Sequence, residues 1–133
     1  MTIRFNKFRI SVIHTGFYSE YGRNKFYAEV TLKNILNGKY IRFNIRRKSY
    51  IDEQETLRAW TDFIKEGCTY DICFERFCEV QNLDVQDKKS KTKWQRAEHK
   101  AKLLRYLNVD NIFLLRELED LLDESVKNAL EAA

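Results

Sequence analysis

The segment from Lys25 to Lys48 is rich in cationic and aromatic residues, and together these side chains could bind a nucleic acid. If the segment forms two antiparallel strands, one face carries Tyr27, Lys33, Tyr40, Arg42, Arg46 and Lys48. Cations neutralise phosphates, and flat rings stack on bases. The pattern therefore predicts a contact surface for nucleic acid. An ordinary solvated sheet face with incidental tyrosines is the alternative.

The dipeptide Asn37-Gly38 predicts the turn between these two strands, because it readily supplies the two positive φ angles of a type I′ turn. A fold at this turn pairs Leu32 with Phe43, and the other apolar residues of both strands then share their face. Side chains alternate with a period of two, so a slip of one residue would mix the two faces. The predicted hairpin thus has one apolar face and one basic, aromatic face.

An aromatic segment that contains two glycines, Thr15 to Asn24, precedes the hairpin and is predicted to be a loop. Phe17 and Tyr18 in this loop are candidate stacking rings, and Arg23 is a candidate phosphate contact. The alternative is that the rings fold back and close one end of the core.

Length and composition restrict the class of protein. The chain has 133 residues and an apolar content of 44%, which indicates one domain with a substantial core. No apolar run is long enough to span a membrane, and the N-terminus lacks the apolar stretch of a signal peptide. The three cysteines, an odd number, indicate reduced thiols. We therefore expect a cytoplasmic protein that does not bind a membrane.

Charge is strongly segregated along the chain, although the net charge is only +4. Residues 1–50 hold 11 Lys/Arg and 2 Asp/Glu, and residues 87–106 hold 8 and 2. The intervening residues 51–86 hold 3 and 9, and residues 107–133 hold 2 and 7. Blocks of this kind can present a basic face and an acidic face to different partners.

Two further elements are predicted on either side of the hairpin. A first strand covers about Ile3 to His14, and its imperfect alternation indicates a bulge or bend. A helix covers Ser49 to Gly67, with acidic residues in its first turn and Trp60 in its core-facing stripe. Gly67 suits the left-handed position after the helix end.

The remaining chain predicts one strand and two helices. Thr69 to Val80 alternates as a strand, and residues 87–93 read as a basic connector. Helices follow at about residues 94–107 and 111–130, with Asp110 as the N-cap of the second. We expect the leucine stripe of the last helix to pack on its own domain through the preceding helix.

The last helix is acidic on its other side, through Glu117, Glu119, Asp120, Asp123 and Glu124. A helix-turn-helix reader of duplex DNA is therefore excluded, because these carboxylates would face a polyanion. The same acidic surface suits a basic protein partner. A contact between two copies through the leucine stripe is an alternative, so an oligomer is allowed.

The residue types that catalysis requires do not come together in the sequence. There is no glycine-rich phosphate loop and no nucleophile elbow, and His14 and His99 have no neighbours at metal-ligand spacing. Cys73 and Cys78 differ by an odd number of positions and would face opposite ways on a strand. We expect no enzyme activity, no metal site and no cofactor.

The order strand, strand, strand, helix, strand is similar to that of an OB-fold, and FYAEVTL, NGKYIRFNI and EGCTYDICF resemble its second, third and fourth strands. The resemblance covers about Arg4 to Leu83 and lies in the order of elements. It implies an α+β fold, a small antiparallel β-barrel or sheet with a helix between strands 3 and 4, followed by a C-terminal helical pair. It also implies ligands bound across strands two and three. Without a fifth strand from residues 75–85, a mixed α+β sheet is the alternative.

We therefore predict a non-catalytic protein that binds single-stranded DNA or RNA. An OB-like domain would cover residues 1–86, and a basic connector with a helical hairpin would cover residues 87–133. The predicted phosphate contacts are Arg23, Lys33, Arg42, Arg46 and Lys48, and the predicted stacking rings are Phe17, Tyr18, Tyr27 and Tyr40. The rival hypothesis is a small phage or mobile-element protein that binds or inhibits a host or replication protein through its charged faces.

Overall fold

A computed structural model describes residues 1–68 and 73–132, and it has an α+β architecture, as predicted. The strands in this part of the chain are β1 (Thr2–Phe5), β2 (Phe8–Glu20), β3 (Arg23–Asn34) and β4 (Tyr40–Arg47). The helices are α1 (Glu53–Cys68), α2 (Phe74–Gln81), α3 (Lys88–Tyr106) and α4 (Asn111–Ala132). None of these helices is long and apolar enough to cross a membrane.

The four strands form an open antiparallel sheet in the order β1-β2-β3-β4, with β1 and β4 at its edges. Burial alternates along β3, where Ala28, Val30 and Leu32 are buried and the residues between them are partly exposed. The buried side, called the inner face below, shares one apolar core with α1, α3 and α4. The other side, called the outer face, has no helix packed on it among the described elements. The fold therefore has two layers, with one sheet face left open.

Helix α1 is the centre of the helical layer, because both α3 and α4 pack on it. Its start is capped as predicted, since Asp52 Oδ1 accepts a hydrogen bond from the Glu55 N–H at 2.9 Å. Trp60 is fully buried, as predicted, with its ring edge-on to Phe43 at a centroid distance of 4.4 Å.

The predicted role of Gly67 is wrong. Gly67 lies inside α1, and its φ is not among the positive ones. A Cβ at this position would lie 2.6 Å from Leu104 Cδ1 and 3.3 Å from the Ala101 nitrogen. The absence of a side chain therefore lets the backbones of α1 and α3 approach each other closely.

The predicted pairing of β3 and β4 is wrong by two residues. Leu32 pairs with Ile41, not with Phe43, because the connection is a four-residue loop of residues 35–38. Within this loop only Gly38 has a positive φ, and its N–H donates to the Asn34 carbonyl at 2.9 Å. A shift of two residues preserves the alternation, so both predicted faces are correct.

The first strand and the aromatic loop are also different from the prediction. The first strand is interrupted by a turn at Asn6-Lys7, which divides it into β1 and β2. The predicted bulge is present, at Ile13 between Val12 and His14. Residues 15–24 are not a loop but the ends of β2 and β3, joined at Tyr21-Gly22, where both φ angles are positive.

The predicted strand from Thr69 to Val80 is contradicted over its second half, which is helix α2. Residues 69–72 lie outside the described part of the chain. In α2, Phe77 and Cys78 are buried, and Phe74 packs on Trp94 of α3 with ring centroids 5.6 Å apart. Packing on α3 thus favours the helical period over the strand period.

The C-terminal helices are close to their predicted positions. Helix α3 begins earlier, because Asp87 accepts a hydrogen bond from the Lys89 N–H at 3.0 Å, so most of the predicted connector is helical. Asp110 caps α4 as predicted, by accepting from the N–H groups of Ile112 and Phe113. The leucine stripe of α4 docks on α1 rather than through α3, with Leu114 and Leu118 buried.

Two asparagines hold the β3–β4 loop on the end of α3. Asn34 is buried, its Nδ2 donates to the Leu107 carbonyl at 3.2 Å, and its Oδ1 accepts from the Leu36 N–H at 3.1 Å. Asn37 Nδ2 donates to the same carbonyl at 3.1 Å. Loss of a buried hydrogen bond leaves polar groups without a partner, so Asn34→Ala should lower the free energy of unfolding by about 1–3 kcal/mol.

Denaturant titration measures this effect, and Asn44→Ala is the matched control because Asn44 is exposed on β4. The control should change the free energy of unfolding by no more than about 0.5 kcal/mol. Equal losses in both variants would contradict the structural role of Asn34.

Candidate nucleic-acid interface

The outer face of the sheet is basic across all four strands. Alternation and register place on it Thr2, Arg4, Arg9, Ser11, Lys25, Tyr27, Glu29, Thr31, Lys33, Tyr40, Arg42, Asn44 and Arg46. This list contains six cations and one carboxylate, that of Glu29. Among the described side chains, the face that no helix covers therefore has a clear excess of positive charge.

Three of these cations form a row across neighbouring strands. Arg4 of β1 is paired with Arg9 of β2, and Arg9 is paired with Lys33 of β3. Directly opposite residues have Cβ atoms about 4.5–5.5 Å apart, and like charges at such positions destabilise a sheet. In the structure of residues 1–68 and 73–132, none of the three takes part in an ion pair. This row is the least expected feature of the sheet if it serves only the fold.

Tyr40 extends the row onto β4, where it is paired with Lys33 and is 47% exposed. Its ring lies beside Arg42, with the guanidinium carbon 5.1 Å from the ring centroid. Arg42 Nη1 donates to Glu29 Oε1 at 3.0 Å, and Nη2 donates to the Tyr40 hydroxyl at 3.2 Å. The hydrogen bond with Glu29 raises the pKa of Arg42, so its side chain stays charged but is already engaged.

Glu29 should therefore act as an internal competitor of an anionic ligand for Arg42. Glu29→Gln frees one cation and removes the one carboxylate on the described outer face. We expect the slope of log affinity against log salt to steepen by about 0.7 on single strands. If the variant and the wild type have equal affinities at 1 M salt, the variant should therefore bind about fivefold more tightly than the wild type at 0.1 M.

Fluorescence anisotropy at several salt concentrations checks this expectation. The control is Glu98→Gln on α3, which makes the same charge change and releases Lys102 from an ion pair on the helical layer. An equal gain in both variants would mean that overall charge, and not the outer face, sets the affinity.

Towards the end of β4, the outer face carries the ring of Tyr27 beside the exposed cation Arg46. Tyr27 of β3 is paired with Arg46 of β4 and with Gly16 of β2. A Cβ at Gly16 would lie 2.6 Å from the Tyr27 hydroxyl oxygen, so the ring lies directly over the glycine. Tyr27 is half-buried in this position, whereas Arg46 and the following Lys48 are exposed.

The nine predicted site residues are not all brought together. Lys33, Arg42, Arg46, Tyr27 and Tyr40 share the outer face, and Lys48 follows β4 directly. Phe17 is instead on the inner side, where its ring lies 6.2 Å from that of Phe26. Tyr18 and Arg23 lie in β2 and β3, and their side chains are outside the description.

Sequence reasoning missed Arg4 and Arg9, the two cations that complete the row with Lys33. Both were placed on one continuous strand, in which they could not be neighbours. The signal that could have found them is Asn6, which tolerates the positive φ of 47° that this turn requires.

The cysteines and acidic residues form no comparable cluster. No group of three or more His, Cys, Asp or Glu side chains that could hold a metal occurs among residues 1–68 and 73–132. Cys78 lies on the buried side of α2, and burial raises the pKa of its thiol, which keeps the thiol protonated. Comparisons with protein-family models, curated proteins and solved structures found no match to this chain.

Proposed function

We propose that this chain is a non-catalytic protein that binds single-stranded DNA or RNA on the outer face of its sheet. The observation that supports this function best is the row Arg4–Arg9–Lys33, in which three cations lie side by side with no carboxylate among them. Such a row costs stability in the free protein and is neutralised when phosphates bind.

Single strands suit this face better than a duplex. Tyr40 and Tyr27 stand among the cations, and a ring gains from contact with a nucleic acid mainly when bases are unpaired and can stack on it. The face also offers few side chains, such as Asn44 and Thr31, that could read base edges. We therefore expect binding with little sequence preference.

A salt series with labelled single-stranded DNA, single-stranded RNA and duplex DNA tests the proposal. Five cations, Arg4, Arg9, Lys33, Arg46 and Lys48, are available to phosphates. If all five engage, log affinity should fall with log salt with a slope of about −3.5 on single strands, at about 0.7 per contact. Flat salt dependence, or no binding at low salt, would refute the proposal.

Two finer expectations belong to the same proposal. Strands β2, β3 and β4 followed by α1 have the order of the first three strands and helix of an OB-fold, and the proposed ligand would cross β3 and β4. A cytoplasmic location is also proposed, because an odd number of cysteines suits a reducing compartment.

A protein partner at α4 is the second candidate. Ile112 and Phe113 are more than half exposed at the start of this helix, and Asp120, Asp123 and Glu124 are exposed further along it. Apolar side chains beside carboxylates suit a basic, partly apolar protein surface. Charge reversal of Asp120, Asp123 and Glu124 should then release a co-purifying protein without weakening nucleic-acid binding.

A further inference from the structure

The hairpin of β2 and β3 extends beyond the rest of the sheet. The last residue of β4, Arg47, is paired with Phe26, and the pairs of β2 and β3 continue beyond this point to Glu20 and Arg23. Helix α1 begins only at Glu53, so the end of the inner face is not fully covered. Large rings at this end remain accessible to a ligand.

Three rings meet there. Phe17 and Phe26 lie opposite each other on β2 and β3, with centroids 6.2 Å apart, and Tyr50 stands edge-on to Phe26 at 6.4 Å. Phe17 is 67% exposed and Tyr50 is 70% exposed, although both belong to an aromatic cluster. Phe26 is half-buried against the core and supports the two exposed rings, so the three form a preorganised platform for a further ring.

The rings border a cleft of about 190 Å³, lined by Gly16, Phe17, Phe26, Tyr27, Tyr50 and Ile51. Pockets for drug-sized ligands measure about 300–1,000 Å³, so this cleft has room for one ring system only. Tyr27 belongs to the outer face, so the cleft shares one residue with the proposed binding surface.

Two cations are close neighbours of lining residues, one across the strands and one along the chain. Arg46 is paired with Tyr27 across the strands, and exposed Lys48 precedes Tyr50 by two residues. An apolar slot beside residues that neighbour cations matches a nucleotide, which joins a flat base to a phosphate. An apolar side chain of a protein partner would fill the slot but would leave the cations unused.

We propose that this cleft accepts one unstacked base of the single strand that crosses the outer face, an inference that rests on the proposed function. The lining offers stacking surface and few polar groups, so the cleft should accept any base. The strand would pass from the phosphate contacts at Arg46 over Tyr27 to the cleft.

The test uses two labelled probes of equal length and charge, an oligothymidylate and the corresponding abasic strand. Phe17→Leu and Tyr50→Leu keep an apolar side chain but remove the ring. Stacking contributes about 1–3 kcal/mol per base, so each variant should bind the oligothymidylate about 5- to 150-fold more weakly. Binding to the abasic strand should not change. Phe113→Leu, at an equally exposed ring on α4, is the control and should affect neither probe.

The failures of the two proposals are distinguishable. If the wild type binds neither probe, the proposed function fails, and the base-binding cleft with it. A second outcome is that the wild type binds both probes with a salt-dependent affinity while the two variants keep the wild-type affinity. The proposed function of the outer face is then supported, and the cleft proposal is overturned. That outcome assigns the cleft to an apolar protein side chain or to no ligand. Equal losses of affinity for both probes would also overturn the cleft proposal. The loss of a ring that stacks on a base should not weaken binding to a strand that has no bases.

Discussion

Replacement of Arg4, Arg9 and Lys33 together by glutamine should weaken binding to single strands by about 100-fold at 0.1 M salt and should stabilise the fold. Each lost phosphate contact reduces the salt slope by about 0.7, so three contacts reduce it by about 2. The affinities of the variant and the wild type should be equal when extrapolated to 1 M salt. A slope difference of about 2 over the decade from 1 M to 0.1 M then gives the 100-fold difference in affinity at 0.1 M. Anisotropy titrations at several salt concentrations measure the slope and the affinity together.

The expected gain in stability has a separate cause. The triple variant removes two like-charged cross-strand pairs, Arg4–Arg9 and Arg9–Lys33. Relief of each pair should increase the free energy of unfolding by about 0.2–1 kcal/mol, which is measurable as a higher melting temperature. A residue that serves the fold would show the opposite sign.

A matched triple variant controls for net charge. Arg58, Arg116 and Lys127 are exposed on α1 and α4, and their replacement by glutamine removes the same charge from the helical layer. This control should leave the salt slope nearly unchanged. If the two triple variants lose affinity equally, or if the outer-face variant is less stable than the wild type, the outer face is not the binding surface that we propose.

The sequence predicted the two faces of β3 and β4 but not their pairing. Side chains alternate with a period of two, so an error of two residues in the pairing leaves every side chain on its predicted face. The pairing itself depends on a contact far along the chain, because Asn34 and Asn37 donate to the carbonyl of Leu107. A local turn preference could not include that contact.

Phe17 shows how one extra residue changes a site. The bulge at Ile13 shifts the alternation of β2, so Phe17 lies opposite Phe26 of the inner face instead of among the outer cations. The sequence indicated a bulge in this strand, but it did not give its position. Phe17 was therefore recognised as a candidate stacking ring, whereas the cleft that it lines was not.

The segment FERFCEV in residues 74–80 shows a different limit. Its apolar residues fit both a strand and a short helix, and short runs of this kind are ambiguous by periodicity alone. The contact between Phe74 and Trp94 belongs to the tertiary structure and favours α2. By contrast, α1 and α4 were predicted correctly because long stripes and Asp caps agree with each other.

Trp60→Ala should have the largest effect on stability, a loss of about 3–5 kcal/mol in the free energy of unfolding. Trp60 is fully buried between the sheet and the helical layer, with Phe43 of β4 on one side and Phe63 of α1 at a centroid distance of 5.3 Å. For a chain of this length, the loss corresponds to a melting temperature lower by about 10–20 °C. Thermal unfolding followed by circular dichroism measures it.

The conservative variant Trp60→Phe separates the ring from the indole nitrogen. Trp60 Nε1 is buried and has no hydrogen-bond partner, so phenylalanine removes an unsatisfied donor while it retains most of the aromatic volume. Trp60→Phe should therefore lower the free energy of unfolding by less than about 1.5 kcal/mol.

Because Trp60 lies on the inner side of the sheet, Trp60→Ala should still bind single strands normally below its melting temperature. This result is the converse of that expected for the outer-face variant, which should gain stability and lose binding. A loss of affinity in fully folded Trp60→Ala would mean that the outer face depends on the core packing beneath β4.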